Sequence, residues 1–416
     1  MKRAVSTYFL ANLAAAGLSF LLIPFLSRAL GPEDFGASYI FVTLIWVFNT
    51  IVGLNLQAAV AVRLRKFGVE AVARLLSSGL LIGAATSALL FALSFVWGDA
   101  FGSLFSLDAD HIRIALFGSM FNMLFLIWQS VQMIEGHVKT YAVQQVANAL
   151  LTTAATVVLV WPIPMGLDGR LWGLVAGYVG MGAWSLLQMR QGGFLTTRLT
   201  MADVRDVVGY GWSLMPHMLG VFLFAGLDRI LATRTLGEAA AGVYIGAAAL
   251  AASVGLLTTA LNRALVPKIY DTIKRDHGEA TRFLRKSTAV IAAAGLVSAA
   301  VVWVLLSGIV EAYLGAGFAG AGRVFAVLVA CQFMFMGYTC SSNVLLYFEK
   351  NAALSVVTIT TGVLVAVLSY LLAPVMGVLG IATALMIAWV IRWASTYAFA
   401  ERQLRLPAPA VQGEAT

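Results

Sequence analysis

The sequence predicts an all-α, polytopic membrane protein with twelve transmembrane helices, arranged as two parallel six-helix bundles around a central cavity. Three observations support this fold class. The chain of 416 residues is 61% hydrophobic and 11% charged, whereas a soluble globular domain carries about 25% charged residues. Apolar runs of about 20 residues, the length that crosses a bilayer as a helix, recur between short polar breaks. A short turn motif also occurs twice, once in each half of the chain.

The spans are expected to be helices because every backbone polar group in lipid must be hydrogen-bonded within its own segment. The first apolar run is too long for the core of a signal peptide. It also has a counterpart in the second half, so it is interpreted as a span. The twelve expected spans are residues 4–26, 37–60, 76–97, 114–134, 141–161, 171–188, 212–233, 242–267, 288–308, 324–347, 353–374 and 378–400.

Basic residues predict the orientation of these spans. With the N-terminus inside, nineteen Lys and Arg residues fall in the inner connections and five in the outer ones. Cytoplasmic connections carry the excess of basic residues in membrane proteins, so both termini are predicted to be cytoplasmic. The five outer residues are Arg28, Arg113, Arg170, Arg234 and Arg323.

The turn "SRALGPEDFGASY" follows the first expected span. A similar turn, "TRTLGEAAAGVYI", follows the seventh expected span, which is the first span of the second half. At a constant offset of 206 residues, Arg28, Leu30, Gly31 and Gly36 match Arg234, Leu236, Gly237 and Gly242. Both halves begin at the cytoplasmic side, which predicts a parallel repeat with a cavity between the halves. The expected domains are an N-terminal six-helix bundle, a C-terminal six-helix bundle and a disordered cytoplasmic tail, at residues 1–197, 198–403 and 404–416.

The longest inner connections are expected to include amphipathic helix along the membrane face. These connections are residues 63–75, 189–211 and 268–287. In the second of them, Thr200 and Asp203 have the spacing of a capping box, which marks the start of a helix.

Motifs of soluble enzymes are weak in this sequence. "GPEDFGAS" has the glycine spacing of a P-loop but carries Ala37 in place of the phosphate-binding lysine. "GAGFAG", residues 315–320, matches a dinucleotide pattern by letter but follows a membrane span. The histidines have no zinc-binding spacing. We therefore predict no catalytic residue, metal or cofactor, and we do not expect an enzyme. Aromatic residues do not alternate with basic ones, so no nucleic-acid partner is expected.

Charged residues inside the expected spans are the main functional candidates, because a charge within a bilayer is costly and faces a partner or a wet cavity. Asp228 and Arg229 lie in span seven, whereas their counterparts in span one are Leu22 and Ile23. Two interpretations stay open. The pair is either a local salt bridge that stabilises packing or a cavity site for anion binding or ion coupling.

Three more residues belong to this candidate set. Arg392 lies deep in span twelve and is interpreted as facing the cavity. Arg263 lies one turn before Pro267, where snorkelling to the inner surface is favoured over a cavity role. His217 follows Pro216 and could titrate near neutral pH, although helix packing is the favoured interpretation. Three Arg against one Asp would attract an anion into a cavity, and a pyrophosphate is the membrane-borne candidate.

Polar amides recur on the expected spans two, four and five. Hydrogen bonding between helices is the usual role of such residues in membranes, and hydroxyl groups of a sugar would use the same donors and acceptors. Both interpretations stay open, with the structural one favoured. The residues are Asn49, Asn55, Gln57, Asn122, Gln129, Gln132, Gln144, Gln145 and Asn148.

The chain contains "LSRALGPEDFG", "GWSLMPHML", "LDRILATRTLGEAAAGVY", "YLGAGFAGAGRVFAVL" and "GVLGIATAL". These segments, spread over nearly the whole chain, resemble those of polysaccharide-repeat (O-antigen, Wzx-type) flippases. That family belongs to the multidrug/oligosaccharidyl-lipid/polysaccharide exporter superfamily. The first copy of the turn departs from the family's Gly-x-Tyr, since it contains Gly36-Ala37-Ser38-Tyr39.

The resemblance implies a two-lobed transporter of MATE-like fold in the bacterial inner membrane, working by alternating access. Its substrate would be an undecaprenyl-pyrophosphate-linked oligosaccharide, and its partners would be membrane lipid, a polysaccharide polymerase and the chain-length machinery. Coupling to an H+ or Na+ gradient is left open. Arg229, Arg392, Arg263 and His217 would bind the substrate, and Asp228 would pair with Arg229 or carry the coupling ion.

Three other functions fit the sequence less well. A lipid II-type flippase usually has two additional spans. A multidrug/cation antiporter of the same superfamily would need acidic residues as the dominant buried charge. A membrane-embedded glycosyltransferase or ligase would need catalytic acids or a histidine on a sizeable outer loop, whereas the longest outer connections, 98–113 and 309–323, are short.

Overall fold

The computed structural model of the protein describes the backbone of residues 2–348 and 350–406. All regular elements within these ranges are helices, so the predicted all-α class is confirmed. The side chains that lie outside the description are those of residues 2–6, 58, 61–63, 65–71, 213–214, 216–217, 219–221, 223–225 and 351.

The first half of the chain forms long helices joined by short connections. Gly31 interrupts the first of them with non-helical backbone angles, so that this element consists of two helices joined at a kink. The helices are α1 (Lys2–Gly53), α2 (Leu56–Phe105), α3 (Ala109–Glu135), α4 (Val138–Val160) and α5 (Gly166–Gln191).

The second half repeats this pattern with more interruptions. A π-helical turn, Val302–Leu306, joins two of its helices, and a 3-10 turn, Ala316–Phe318, lies between the next two. The helices are α6 (Met201–Ala225), α7 (Leu227–Leu236), α8 (Glu238–Arg275), α9 (His277–Val301), α10 (Ser307–Leu314), α11 (Ala321–Tyr347), α12 (Asn351–Met376) and α13 (Val378–Arg405).

Among the described residues, nine helical stretches are long and apolar enough to cross a membrane. Most of the first two expected spans, 4–26 and 37–60, lies in one of these stretches, Thr7–Gly53, which has 47 residues. A helix of that length measures about 70 Å, more than twice the hydrocarbon thickness of a bilayer. The expected spans 171–188 and 212–233 fall on α5 and on α6–α7, which are not among the nine. The multi-pass class is confirmed, and the count of twelve stays a prediction.

The repeated turn has the same backbone conformation in both halves. Gly31 has φ 72° and ψ 176°, and Gly237 has φ 86° and ψ 169°. This region of backbone angles is open essentially only to glycine. In each half the glycine ends one helical segment and the next segment starts directly after it. The repeat that the sequence shows is therefore also a repeat of the backbone.

The later helices of the two halves correspond in order and in length. α3 and α11 both have 27 residues. α4 and α12 have 23 and 26 residues, and α5 and α13 have 26 and 28. The sequence motif marks only the start of each half, whereas the helices extend the correspondence to the end of each half.

The chain divides into two compact units, Met1–Phe222 and Leu223–Thr416. The division falls inside α6 because the first part of that helix packs on the first unit. A Cβ added to Gly211 would lie 2.6 Å from the Cβ of Leu54. This position differs from the expected boundary at 197/198, and the two six-helix bundles stay a prediction. α13 continues two residues into the expected tail, and residues 407–416 lie outside the described residues.

In the first unit, α5 packs closely on α4 through small residues. A Cβ at Gly173 would lie 2.5 Å from Thr156 Oγ1, and a Cβ at Gly177 would lie 2.2 Å from Thr152 Cγ2. Residues four apart share one face of a helix, and small residues at this spacing let helices approach closely in membranes. These glycines therefore allow the close contact between α4 and α5.

The predicted capping box at the start of α6 is confirmed. Asp203 Oδ2 accepts the backbone N–H of Thr200 at 2.9 Å, and Thr200 Oγ1 accepts the backbone N–H of Asp203 at 3.3 Å. Hydrogen bonds from the hydroxyl and the N–H of Thr200 lower the pKa of the Asp203 carboxyl from its ordinary value. The box thus marks the start of α6, ahead of the apolar part of that helix.

Candidate functional site

A break in the helix places Asp228 in its setting. α6 ends at Ala225, Gly226 is the N-cap residue of the next helix, and α7 begins at Leu227. Asp228 therefore lies in the first turn of α7, where the partial positive charge of the helix N-terminus favours a carboxylate. Its side chain is only 6% exposed. Discontinuous helices of this kind form binding sites in many transporters.

Asp228 is held by one hydroxyl and one backbone amide. Tyr244 of α8 donates its hydroxyl to Asp228 Oδ2 at 2.5 Å, and the N–H of Arg229 donates to Asp228 Oδ1 at 2.9 Å. Tyr244 is completely buried. The hypothesis that Asp228 pairs with the charge of Arg229 stays a prediction, because these two bonds come from a phenol and from the backbone.

The two partners belong to the second half alone. At the offset of 206 residues, Asp228 corresponds to Leu22, and Tyr244 corresponds to Ser38. Leu22 and Ser38 are both buried, and the hydroxyl of Ser38 bonds to the carbonyl of Phe35 in its own helix. The fold therefore does not require a charge at these positions. The second half has both the acid, Asp228, and its hydrogen-bond donor, Tyr244, whereas the first half has neither.

Arg392 of α13 is buried against aromatic rings and hydroxyls. Its Nη2 donates to Thr358 Oγ1 of α12 at 2.9 Å and to Tyr338 Oη of α11 at 3.2 Å. Its guanidinium carbon lies 4.3 Å from the ring centroid of Tyr338 and 5.1 Å from that of Trp389. Ring faces stabilise a cation in a desolvated place without neutralising its charge. The arrangement buries the guanidinium among rings and hydroxyls inside the second unit.

This arginine also has no charged counterpart in the first half. A Cβ at Gly169 would lie 2.4 Å from the carbonyl oxygen of Leu159, and a Cβ at Gly380 would lie 2.3 Å from that of Leu372. The two glycines therefore occupy matching places where α5 and α13 meet the preceding helices. When α5 and α13 are aligned on these two glycines, Arg392 corresponds to Met181, which is 1% exposed.

The remaining predicted residues have different surroundings. Arg263 on α8 is exposed, which agrees with the favoured snorkelling. Arg229 on α7 is half-buried beside Asp228. His217 lies in α6, and its side chain is outside the described part of the chain. Of the five candidates, Asp228 and Arg392 are the two whose buried contacts the structure describes.

One buried arginine is not among the residues that the sequence indicates as candidates. Arg170 falls in an expected outer connection, but it is the fifth residue of α5 and is 8% exposed. Its Nη1 donates to Thr156 Oγ1 at 3.1 Å, and its Nε is buried without a hydrogen-bond partner among the described residues. Tyr39 and Tyr178 lie near its guanidinium. Asp168, an acidic residue of the kind that favours the first turn of a helix, is the local signal that α5 starts before Arg170.

The chain is similar to known proteins in sequence and in structure. The chain is 22% identical over 360 residues to "Lsg locus putative protein 1" of Haemophilus influenzae, covering 84% of this chain and 85% of that protein. It is similar to an inward-facing multidrug resistance MATE family transporter of the MOP superfamily, with a TM-score of 0.69, 13% identity and coverage of 95% and 98%.

A mutant form of the Vibrio cholerae MATE transporter VcmN is a further structural neighbour. It has a TM-score of 0.64 and 14% identity, and the match covers 97% of this chain and 96% of that one. At these identities the two structures establish the fold alone. The fold is MATE-like, as the resemblance implied.

The family model described as polysaccharide biosynthesis protein matches residues 1–272. This range is more than half of the chain, and it includes the repeated turn, α7 and Asp228 with Tyr244. Together with the fold of known transporters, the match indicates a transmembrane transporter rather than an enzyme and confirms the resemblance. The chain belongs to the polysaccharide biosynthesis protein family.

Proposed function

We propose that this transporter is a flippase for an undecaprenyl-pyrophosphate-linked oligosaccharide. It moves the lipid-linked unit from the inner to the outer leaflet of the bacterial inner membrane by alternating access of two halves. Both termini are cytoplasmic, and the exported unit passes to a polysaccharide polymerase with its chain-length machinery. The family match and the excess of basic residues in alternate connections support this proposal.

The observation that carries the proposal is the setting of Arg392. A guanidinium offers a planar fork of donors that fits phosphate oxygens in pairs. The partners described for this fork include two hydroxyls and two ring faces, which are neutral groups that a phosphate can replace or join. Arg229, Arg263 and His217 are proposed to add contacts to the same anionic group as it crosses the membrane.

Asp228 is proposed to carry the coupling ion. Its carboxylate is buried at a helix break and accepts a hydrogen bond from Tyr244. A proton or Na+ that binds Asp228 changes the charge of this buried place. The change alters how tightly α7 and α8 hold each other, and it thereby biases one of the two access states.

The test is a set of arginine variants expressed in the source organism with its own copy deleted. Arg392→Met, which introduces the residue of the first half, should lower export of the lipid-linked glycan about tenfold or more through loss of charge-assisted hydrogen bonds. Arg392→Lys should be intermediate, because lysine keeps the charge but loses the fork. The matched control is Arg323→Met, at an arginine 6.0 Å from the Trp303 ring. Normal export by Arg392→Met, at normal amounts in the membrane, refutes the proposal.

A cation antiporter is the second candidate, and the buried carboxylate of Asp228 is the observation that favours it. Multidrug transporters share this fold. Under this alternative, Asp228→Asn would abolish efflux of organic cations, and Arg392→Met would leave that efflux intact. Efflux assays with cationic dyes in the same deletion strain separate the two functions.

A further inference from the structure

A second polar region lies in the first unit, where α3, α4 and α5 meet. Trp128 Nε1 of α3 donates to Gln188 Oε1 of α5 at 2.6 Å, and Gln144 Nε2 of α4 donates to the same oxygen at 3.2 Å. Gln129 Nε2 of α3 donates to the carbonyl oxygen of Tyr141 at 3.5 Å. These bonds confirm that amides link helices here, as the structural interpretation predicts.

The orientation of these amides is fixed by their partners. An indole N–H only donates, so Gln188 must present its oxygen to Trp128. Gln144 must then present its NH2 group to that oxygen, which leaves the Gln144 oxygen directed elsewhere. A backbone carbonyl only accepts, so Gln129 likewise spends its NH2 group on Tyr141. Rotating either amide would break the bond that holds it.

The result is a surplus of hydrogen-bond acceptors. Gln144 is completely buried, Gln132 is 3% exposed and Gln129 is 7% exposed. Among the described residues, no group donates to their side-chain oxygens, nor to the oxygen of Asn148 one turn after Gln144. The hydroxyls of Ser185 on α5 and Tyr8 on α1 are also buried without a partner among the described residues, and each of them can donate as well as accept a hydrogen bond. Buried polar groups without partners are rare in native proteins and call for a ligand or for ordered water.

We propose that this cluster binds hydroxyl groups of the glycan, which rests on the flippase function proposed above. The cluster consists of Gln129, Gln132, Gln144 and Asn148, with the hydroxyls of Ser185 and Tyr8 beside it. Its members are neutral, so it attracts neither an anion nor a cation by charge. A surplus of acceptors selects a partner rich in O–H donors, and a neutral sugar is such a partner.

Apolar substitution separates binding from packing. In the double variant Gln129→Leu, Gln144→Leu, two unpaired acceptors are removed together with the hydrogen bonds that these amides donate to Tyr141 and Gln188. These two effects oppose each other, so the thermal unfolding midpoint in detergent should stay near that of the wild-type protein. Export of the native lipid-linked glycan in the deletion strain should fall about tenfold, since two hydrogen bonds to hydroxyls are lost. The control is Gln145→Leu, at the neighbouring position of α4, which faces about 100° away. It should export normally. Normal export by the double variant overturns the proposal, because water-filled packing would then be the whole role of the cluster.

A second measurement requires no substitution in the cluster. Trp128 bonds directly to the amides, so its ¹⁹F resonance in 5-fluorotryptophan-labelled protein reports on them, and Trp128→Phe assigns that resonance. The probe is the polyprenyl-pyrophosphate-linked fraction extracted from the deletion strain. This fraction should shift the Trp128 resonance and leave that of exposed Trp161 in place. Sugar-free undecaprenyl pyrophosphate should shift neither, and equal shifts with both lipids overturn the proposal.

The two proposals fail in different ways. If the deletion strain accumulates no lipid-linked glycan, the flippase function is wrong, and the amide cluster has no sugar to bind. If the glycan accumulates and Arg392→Met blocks export while the leucine double variant exports normally, only the hydroxyl site is wrong.

Discussion

Asp228 and Tyr244 are buried together in the second half, and at the matching places in the first half stand Leu22 and Ser38. Arg392 likewise corresponds to buried Met181. A buried carboxylate without donors is strongly disfavoured in a low-dielectric interior, so the acid and its tyrosine form a unit. At the scale of single residues, the two halves therefore share their packing and differ in their charges.

Tyr244→Phe should destabilise the protein. The substitution removes the O–H that bonds to Asp228 Oδ2 and leaves a buried carboxylate oxygen without that donor. The expected loss in the free energy of unfolding is about 1–3 kcal/mol. It is measured as a lower thermal unfolding midpoint of the purified protein in a fixed detergent.

The control for this prediction is the double variant Asp228→Leu, Tyr244→Phe. Replacing both partners by apolar groups removes the unsatisfied oxygen, so the unfolding midpoint should recover towards that of the wild-type protein. Transport should not recover, because the double variant lacks the proposed coupling carboxylate. An unfolding midpoint unchanged by Tyr244→Phe alone would show that this hydrogen bond does not stabilise Asp228.

The turn at Gly31 and Gly237 is an element that works through its backbone. Both glycines have positive φ with ψ near 180°, and an added Cβ at either would meet nothing within 4 Å. Any effect of substitution therefore comes from backbone strain and not from crowding. The turn lets one helical segment end and the next begin without intervening residues.

Gly31→Ala and Gly237→Ala should each lower the thermal unfolding midpoint. Alanine rarely adopts these backbone angles, and holding it there costs about 1–3 kcal/mol. The matched control is Gly308→Ala in α10, where a Cβ also meets nothing within 4 Å and the backbone is helical. Alanine favours a helix over glycine, so the control should be neutral or stabilising. Equal midpoints for all three variants would contradict the role assigned to the turn.

Orientation in the membrane is a property of the whole molecule. The sequence places Lys274 in an inner connection at the end of α8, and Met165 in an outer one just before α5. Cys331 and Cys340 are both buried, so each reacts slowly with reagents added from water. Cysteines introduced at the two connections therefore report the side on which each lies.

In spheroplasts, an impermeant maleimide should label Met165→Cys and spare Lys274→Cys until the membrane is opened. The basic residues near Lys274 should keep that connection on the cytoplasmic side. The parent protein with both cysteines intact measures background labelling. Labelling of Lys274→Cys before the membrane is opened would reverse the predicted topology.

Composition, basic-residue counts and the repeated turn determined the membrane class, the all-α fold and the correspondence of the halves, because these depend on hydropathy and on local backbone preference. The same local chemistry made the capping box of Thr200 and Asp203 predictable. The identity of Asp228 and Arg392 as candidates also followed from sequence, since a charge within an apolar run is visible there.

Tertiary structure decided which groups meet. Tyr244 lies 16 residues from Asp228, and Tyr338 lies 54 residues from Arg392. No local pattern joins residues at such separations, because their contact depends on how whole helices pack. The burial of Arg170 likewise depends on the glycines through which α5 packs on α4. The number of unpaired acceptors on α3 and α4 depends on the groups to which each amide is hydrogen-bonded. The sequence shows which residues of this protein are polar, and the packing of its helices determines which of them have hydrogen-bond partners.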